Sequence, residues 1–311
     1  MYKKLSVLIL GAVFSASAMA AKPIKFGTGG SAGNYFSMAN DIASYCADGM
    51  DSVLDRELQV LNSDGSVANI FGLINKQFSV GWVQEDVLQY YNKQNPTKVN
   101  ENALRIVAGG HQESVHLLVP KGYKPSKGLL GGMFNFGDGE ALDINLLKDQ
   151  EIGSYGGSLV SAKALSYFLD LNLQVSEIER NTAVNMPILL VGGQPYKPVQ
   201  DLLETGKYDL VPLDGTAIQQ RAPFYSPITV NYEAGGQITS TPSVGVRAYI
   251  VAKALRKDSK NENMRRLATC IDQSLEDLAD DPDTNPNWST VVDLEDDGVQ
   301  TGWRYFRIDE M

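Results

Sequence analysis

The chain has 311 residues, of which 43% are hydrophobic and 21% are charged, which excludes a disordered, collagen-like or coiled-coil protein. Its formal net charge of −10 argues against nucleic-acid binding, because phosphate contacts need clustered lysine and arginine side chains. Two histidines and two cysteines are too few for a Cys/His zinc site, although a carboxylate metal site remains open. The length predicts two compact lobes rather than one core.

The first twenty residues have the three parts of a secretory signal peptide. Lys3 and Lys4 form a positive region, residues 5–14 an apolar region, and residues 18–20 a small-residue cleavage pattern. The apolar stretch is shorter than the ~20 residues that span a bilayer. We therefore predict cleavage after Ala20 and a periplasmic protein, whose net charge goes from −10 to −12 with the loss of the two lysines.

Short apolar strands alternate with helical patterns from residue 24 onward. The predicted strands are residues 24–26, 58–61, 79–83, 104–108, 115–119, 151–153, 188–191 and 208–213. Helical spacing follows the first two strands and recurs at residues 159–169, 199–203 and 264–275. This alternation predicts α/β lobes with largely parallel sheets. A glycine- and phenylalanine-rich segment, residues 128–140, interrupts the pattern and is typical of a surface excursion.

A glycine-rich turn, Gly27-Thr28-Gly29-Gly30-Ser31-Ala32-Gly33, joins the first strand to the first helix. Such a turn presents backbone N–H groups at the positive end of a helix dipole and so favours an anion. The hydroxyls of Thr28 and Ser31 add donors, and the Tyr35 phenol is placed to close over a ligand. The same residues also fit a dinucleotide fingerprint and a nucleophile elbow at Ser31. Neither fits well, because an exported protein does not normally meet nicotinamide cofactors and an elbow normally follows several strands.

Two more glycine-serine turns open helices, at residues 64–69 and 153–158. Ligands of open α/β sheets bind outside the carboxyl ends of strands, where such turns gather. None of the three turns contains a lysine or arginine. The pattern therefore predicts a carboxylate held between two lobes by neutral donors rather than by an arginine clamp.

An ordered set of motifs resembles the TAXI family of solute-binding proteins, the extracytoplasmic receptors of TRAP (tripartite ATP-independent periplasmic) transporters. The motifs are Gly27 to Phe36, Gly65-Ser66-Val67-Ala68-Asn69, Val80 to Val87, Glu113-x-x-His116-Leu117, Ile152 to Ser158, and Gly192-Gly193-Gln194-Pro195. Together they span most of residues 24–250. Segment 128–140 and the tail after Asp280 depart from the family pattern.

The resemblance implies a type II-like periplasmic-binding-protein fold with a ligand cleft between two lobes. Lobe 1 is expected at residues 21–118 and 245–311, and lobe 2 at 119–244, with crossovers near Val119 and Val244. The implied protein is a monomeric, non-enzymatic receptor without a cofactor. It captures a small carboxylate such as glutamate or 2-oxoglutarate for a membrane-embedded TRAP permease.

Carried over motif by motif, the resemblance implies a set of ligand-binding residues. They are Thr28, Gly29, Ser31, Gly33, Tyr35, Ser66, Asn69, Gln84, Ser154, Gly157 and Ser158. Gln84 suits a ligand amine or ketone, or else is a solvent-facing loop side chain. Trp82 is expected in the core, and His116 in a structural hydrogen bond.

Other possibilities remain open from the sequence. Export allows Cys46 and Cys270 to form a disulfide, but two separate buried thiols fit their apolar helix faces equally well. A sensory receptor that reports to a membrane kinase is a second functional hypothesis. An exported serine esterase using Ser31 is a third.

Overall fold

In a computed structural model of the chain, the residues described are 22–47, 53–123, 142–180, 182–234, 236–291 and 302–306. The predicted signal peptide and the segment 128–140 lie outside the described residues. None of the described helices is long and apolar enough to cross a membrane.

The described strands are β1 (Ile24–Gly27), β2 (Leu58–Leu61), β3 (Val80–Gln84), β4 (Leu104–Pro120), β5 (Glu151–Ser154), β6 (Gln174–Glu177), β7 (Ile188–Gly192), β8 (Tyr208–Leu210), β9 (Tyr225–Ala234) and β10 (Gln237–Lys253). They form one sheet in the order β2-β1-β3-β10-β4-β7-β5-β6, with β8 paired to β4 and β9 to β10. The predicted strand at residues 208–213 ends early, and Pro212 beyond it has no N–H to offer a ladder.

The described helices are α1 (Asn34–Cys46), α2 (Ser66–Ile74), α3 (Glu85–Gln94), α4 (Ser158–Phe168), α5 (Lys197–Glu204), α6 (Gly215–Arg221), α7 (Glu262–Gln273) and α8 (Leu275–Asp280). Short 3-10 helices occupy Ile144–Leu147, Asp258–Lys260 and Pro286–Thr290. The helices predicted from apolar spacing are confirmed.

Strands β4 and β10 are each 17 residues long and run through the middle of the sheet. The prediction of two separate strands at 104–108 and 115–119 is wrong, because β4 continues through the intervening residues Gly-Gly-His-Gln-Glu-Ser. These residues break the apolar pattern because several of them are polar. They are nevertheless mostly buried, and two of them line the candidate site.

The sheet is mixed rather than largely parallel. Strands β1, β2 and β3 pair in parallel, as do β5, β6 and β7. Strand β10 runs antiparallel to β3 and β4, and β4 runs antiparallel to β7. Two parallel groups are thus joined through two long antiparallel strands.

The buried apolar side chains fall into two groups of clusters, which define the lobes named here. The first lobe contains Phe26, Trp82 and Ile250, and the second contains Ile152, Leu165 and Val191. Burial of Trp82 confirms its expected place in the core. The chain therefore has a two-lobed α/β architecture, while the residue limits 21–118, 119–244 and 245–311 stay a prediction.

In the structure Cys46 of α1 is disulfide-bonded to Cys270 of α7, with their Cα atoms 5.8 Å apart. Both residues belong to the same apolar cluster of the first lobe. The bond joins positions 224 residues apart and so ties α7 to the first helix.

Candidate functional site

Each of the three glycine-rich turns leads into a helix whose start lacks a side-chain cap. The N-cap residues are Gly33 for α1, Gly65 for α2 and Gly157 for α4, and no acidic residue lies in any of these first turns. In contrast, the N-cap Asp214 of α6 accepts a hydrogen bond from the Ala217 backbone. In α4 the N–H groups of Leu159 and Val160 already donate to the Gly156 and Gly157 carbonyls, so it is the very first N–H groups, those of Asn34, Ser66 and Ser158, that face another acceptor at these helix starts.

The turn after β1 is held in place by a strand-end network, which consists of Thr28, Ser63 and Asn69. The Asn69 amide donates to the carbonyls of Thr28 at 2.6 Å and Trp82 at 2.8 Å, and its oxygen accepts from the Ser63 hydroxyl at 2.8 Å. The Thr28 hydroxyl donates to the Leu61 carbonyl at 2.8 Å. Thr28 and Asn69 are fully buried, and these contacts position the turn and α2.

The two serines of the second lobe are engaged with the neighbouring strand. Ser154 donates to the Leu189 carbonyl at 2.8 Å. Ser158 donates to the Val191 carbonyl at 3.1 Å and accepts from the Val191 N–H at 2.9 Å. These bonds fix the start of α4 against β7. The predicted ligand contacts of Ser154 and Ser158 stay predictions.

Gln84, at the end of β3, links the two lobes. Its backbone N–H donates to the Ser66 hydroxyl at 3.0 Å, and its side-chain amide donates to Glu113 at 2.8 Å. Its side-chain oxygen accepts from Ser161 of α4 at 3.3 Å. The side chain is only 4% exposed, so the solvent-facing alternative for Gln84 is wrong.

Around Gln84 lies a group of polar side chains that we call the Glu113 cluster: Tyr35, Gln84, His111 and Glu113. All are buried except Tyr35, which is half-buried with its hydroxyl shielded from solvent. The Tyr35 ring stacks on Trp82 with a centroid distance of 5.4 Å and meets the His111 ring edge-on at 5.6 Å. His111 Nε2 lies 3.4 Å from a Glu113 oxygen. Among the described residues, neither the Tyr35 hydroxyl nor either His111 ring nitrogen has a hydrogen-bond partner.

The electrostatics of the Glu113 cluster follow from burial. Desolvation, followed by the nearby Glu113 charge, raises the pKa of the Tyr35 phenol well above its ordinary value. The same two causes raise the pKa of Tyr196, which follows β7 in the second lobe. The charge of Glu113 therefore influences the pKa of a tyrosine in each lobe.

Two buried carboxyl groups at the start of α3 follow Gln84 directly, and one of them contacts the second lobe. Asp86 of α3 accepts from the Tyr225 hydroxyl at 3.1 Å, and Glu85 accepts from Tyr249 at 2.9 Å. Burial raises the pKa of Asp86 to about 6 and that of Glu85 to about 7. Both carboxyl groups thus titrate close to neutral pH.

The turn after β7 reaches the start of α1 across the lobes. A Cβ atom placed on Gly193 would lie 2.6 Å from the Asn34 amide nitrogen and 2.8 Å from the Asn287 amide oxygen. Asn287 belongs to the 3-10 helix Pro286–Thr290, where Thr290 accepts from the Gln112 N–H at 3.3 Å. Only a residue without a side chain allows this close approach.

The remaining predicted site residues are distributed around these groups. Gly29 is buried, whereas Ser31, Gly33 and Gly157 are exposed. His116 is buried and bonds to the Tyr232 hydroxyl at 2.8 Å, and burial lowers its pKa to about 4. The expected structural role of His116 is confirmed.

Three residues of the site, Glu113, His111 and Ser161, were not predicted as ligand-binding residues, although Glu113 belongs to one of the sequence motifs. The signal for the first two was polar residues within a strand, between apolar runs at 104–108 and 115–119. Ser161 falls one turn after Ser158 and so shares its face of α4. Among the described residues there is no group of three or more histidine, cysteine or acidic side chains that is placed to hold a metal ion.

The geometry defines an α/β protein with two lobes, joined by two long strands, and a buried polar cluster between them. The sequence profile of the NMT1-like family matches residues 26–279, which is most of the chain, so the chain belongs to the NMT1-like family.

Solved structures with a similar chain path have low sequence identity. The ligand-binding component of an ABC-type import system from Staphylococcus aureus is 12% identical, with a TM-score of 0.46 over 84% of this chain and 76% of that one. A Candida albicans protein described as having the generic periplasmic binding protein fold is 11% identical, with a TM-score of 0.45 over 88% and 82% of the two chains. At these scores the likeness carries no information about the ligand.

Proposed function

We propose that the protein is a periplasmic, non-enzymatic solute-binding receptor that captures a small carboxylate between its lobes. We further propose that it belongs to the TAXI type and delivers this ligand to a TRAP permease in the membrane. The observation that carries the proposal is that three uncapped helix starts, two from the first lobe and one from the second, adjoin one buried polar cluster.

The helix starts supply the attraction for the carboxylate. A helix N-terminus offers free N–H donors and about half a positive charge, which stabilise an anion without a basic side chain. Gly33 and Gly157 are exposed at the starts of α1 and α4, so a ligand has access to their backbone. Ser66 is the first residue of α2 and accepts from the Gln84 N–H, so the start of α2 also lies beside the Glu113 cluster.

The contacts between lobes support a closing cleft. Gln84 reaches Ser161 and Asp86 reaches Tyr225, and each pair joins one lobe to the other. Long strands can absorb a rotation between lobes while few other contacts break. A ligand that touches both lobes then favours the closed form, because only that form makes all of its contacts.

The arrangement of the histidines favours binding over hydrolysis at Ser31. His111 lies beside Glu113, and His116 bonds to Tyr232. Ser31 lies in the exposed turn before α1. A serine esterase needs its nucleophile within hydrogen-bond reach of a general base.

A thermal-shift screen of dicarboxylates, amino acids and 2-oxo acids, followed by calorimetry, tests the receptor function. At least one small carboxylate should raise the unfolding temperature and bind with a stoichiometry of one. If none binds, the receptor proposal is wrong. Uptake of that ligand by cells with a TRAP-type permease, with and without the protein, tests the partner.

A matched pair of substitutions tests the helix-start site. Gly157 has open space where a Cβ atom would lie and a φ of −59°, so it accepts a side chain without strain. Gly157→Asp puts a negative charge at the start of α4, whereas Gly157→Asn puts a neutral group of the same shape there. The aspartate variant should bind the ligand at least about tenfold more weakly than the asparagine variant. Equal affinities would contradict the placement of the carboxylate.

A further inference from the structure

Glu113 is an acidic side chain buried in the middle of a site proposed for an acidic ligand. It is 7% exposed, and one of its oxygens accepts from the Gln84 amide at 2.8 Å. Among the described residues, the basic group within ion-pair distance of Glu113 is His111, at 3.4 Å. A ligand whose charges were all negative would therefore bring one of them towards a buried carboxylate.

The neighbours of Glu113 add to the negative character of this part of the cleft. Asp86 and Glu85 are buried at the start of α3, which directly follows Gln84. Burial raises the pKa of Asp86, and the Glu113 charge raises it a little further. The helix starts favour a negative group, whereas the region of Glu113 favours a positive one.

Two more groups in the cluster have unused hydrogen-bonding capacity. His111 is fully buried, and among the described residues neither of its ring nitrogens has a hydrogen-bond partner. The Tyr35 hydroxyl, also without one, is close enough to Glu113 for the two to affect each other electrostatically. A neutral imidazole accepts through one nitrogen, and a phenol oxygen accepts as well. Glu113 and the Tyr35 hydroxyl oxygen thus offer neighbouring acceptors, whereas the His111 nitrogen that faces Glu113 carries a proton and leaves the other ring nitrogen as an acceptor.

From this arrangement we infer that the ligand is an α-amino acid, whose ammonium group is bound by Glu113 while its carboxylate lies at the helix starts. An ammonium group has three N–H donors and a positive charge, which match the Glu113 carboxylate and the acceptor oxygen of Tyr35. A 2-oxo acid has a carbonyl oxygen in place of the ammonium group. This oxygen can only accept hydrogen bonds, so it would face the Glu113 carboxylate with no N–H or O–H donor between the two. The inference rests on the proposed receptor function and makes Glu113 the residue that selects the amine.

Matched ligands separate the two possibilities in calorimetry on the full-length protein. The pairs are an amino acid and the 2-oxo acid with the same skeleton: alanine and pyruvate, valine and 2-oxoisovalerate, glutamate and 2-oxoglutarate. In whichever pair binds, the amino acid should bind at least about tenfold more tightly, which is the range for one hydrogen bond to a charged group.

The variant Glu113→Gln tests the residue itself. Glutamine keeps an oxygen that accepts from Gln84 but removes the charge. Amino-acid affinity should fall at least about tenfold, and 2-oxo-acid affinity should change less than about threefold. Glu177→Gln removes an exposed glutamate from β6 and should change neither. Thermal unfolding of both variants checks that they are folded.

The possible failures point to different errors. Tighter binding of the 2-oxo acid to the parent protein contradicts the amine inference and leaves the receptor function standing, and this comparison needs no variant to fold. An equal loss for both ligands in Glu113→Gln also contradicts it. If no member of any pair binds, the receptor proposal fails, and the inference fails with it.

Discussion

The strand-end network and the Glu113 cluster are both buried and polar, but they differ in how completely their groups are paired. In the strand-end network, Asn69 makes three hydrogen bonds and the Thr28 hydroxyl donates to the backbone. In the Glu113 cluster, Tyr35 and His111 have buried polar atoms without hydrogen-bond partners among the described residues. Paired groups stabilise the fold, whereas unpaired buried groups cost stability and are retained where they meet a ligand.

This contrast predicts a large loss of stability for Asn69→Ala. The substitution leaves the Thr28 and Trp82 carbonyls and the Ser63 hydroxyl without their partner in a buried place. We expect the free energy of unfolding to fall by about 4 kcal/mol, which denaturant titration measures.

Asn40→Ala is the matched control, because Asn40 is an exposed asparagine on α1. It should change the free energy of unfolding by less than about 0.5 kcal/mol. Similar losses for the two variants would show that the strand-end network has no special role.

The buried carboxyl group of Glu85 predicts a pH dependence of stability. The pKa of Glu85 is about 7 in the folded protein, above its ordinary 4.5, and burial is the main cause. The folded state therefore binds this proton more tightly than the unfolded state, and the stabilisation is lost as the pH rises through 7.

Glu85→Gln should remove this dependence. The parent should lose about 2 kcal/mol more than the variant between pH 5 and pH 8, as measured by denaturant titration at each pH. Glu57→Gln, at an exposed position before β2, should follow the parent curve. Parallel curves for parent and Glu85→Gln would contradict the assignment.

Tyr35→Phe tests the Glu113 cluster. Removal of a buried hydroxyl without a partner should leave the free energy of unfolding within about 0.5 kcal/mol of the parent value or raise it. Ligand binding should weaken by about 1 kcal/mol, which is roughly fivefold in Kd, by calorimetry. A stability loss with unchanged binding would instead place Tyr35 among the structural residues.

The sequence predicts the fold better than it predicts the role of each polar residue. Apolar spacing indicated helices α1, α2, α4, α5 and α7, because each of them buries one apolar face. It did not indicate the β9–β10 hairpin. Each of these strands contains a proline, Pro227 in β9 and Pro242 in β10, and proline is unusual inside a strand. Apolar spacing also divided β4 at the very residues that the site uses.

At the site, the glycine-rich turns predicted where helix starts gather, because glycine and backbone conformation are local properties. The sequence could not show which hydroxyls are already used by the fold. In the sequence, Thr28 and Ser158 look like hydroxyls that are free to bind a ligand. In the structure, the Thr28 hydroxyl donates to the Leu61 carbonyl and the Ser158 hydroxyl donates to the Val191 carbonyl. Glu113 was missed for the corresponding reason, since its neighbours come from distant parts of the chain.

Small-angle X-ray scattering tests the central claim, ligand capture by closure of the two lobes, most directly. The full-length protein is measured with and without a saturating ligand found in the thermal-shift screen, with binding verified by calorimetry on the same sample. The bound protein should have a smaller radius of gyration, because the bound ligand favours the form in which both lobes contact it. An unchanged radius of gyration with binding verified would contradict this claim.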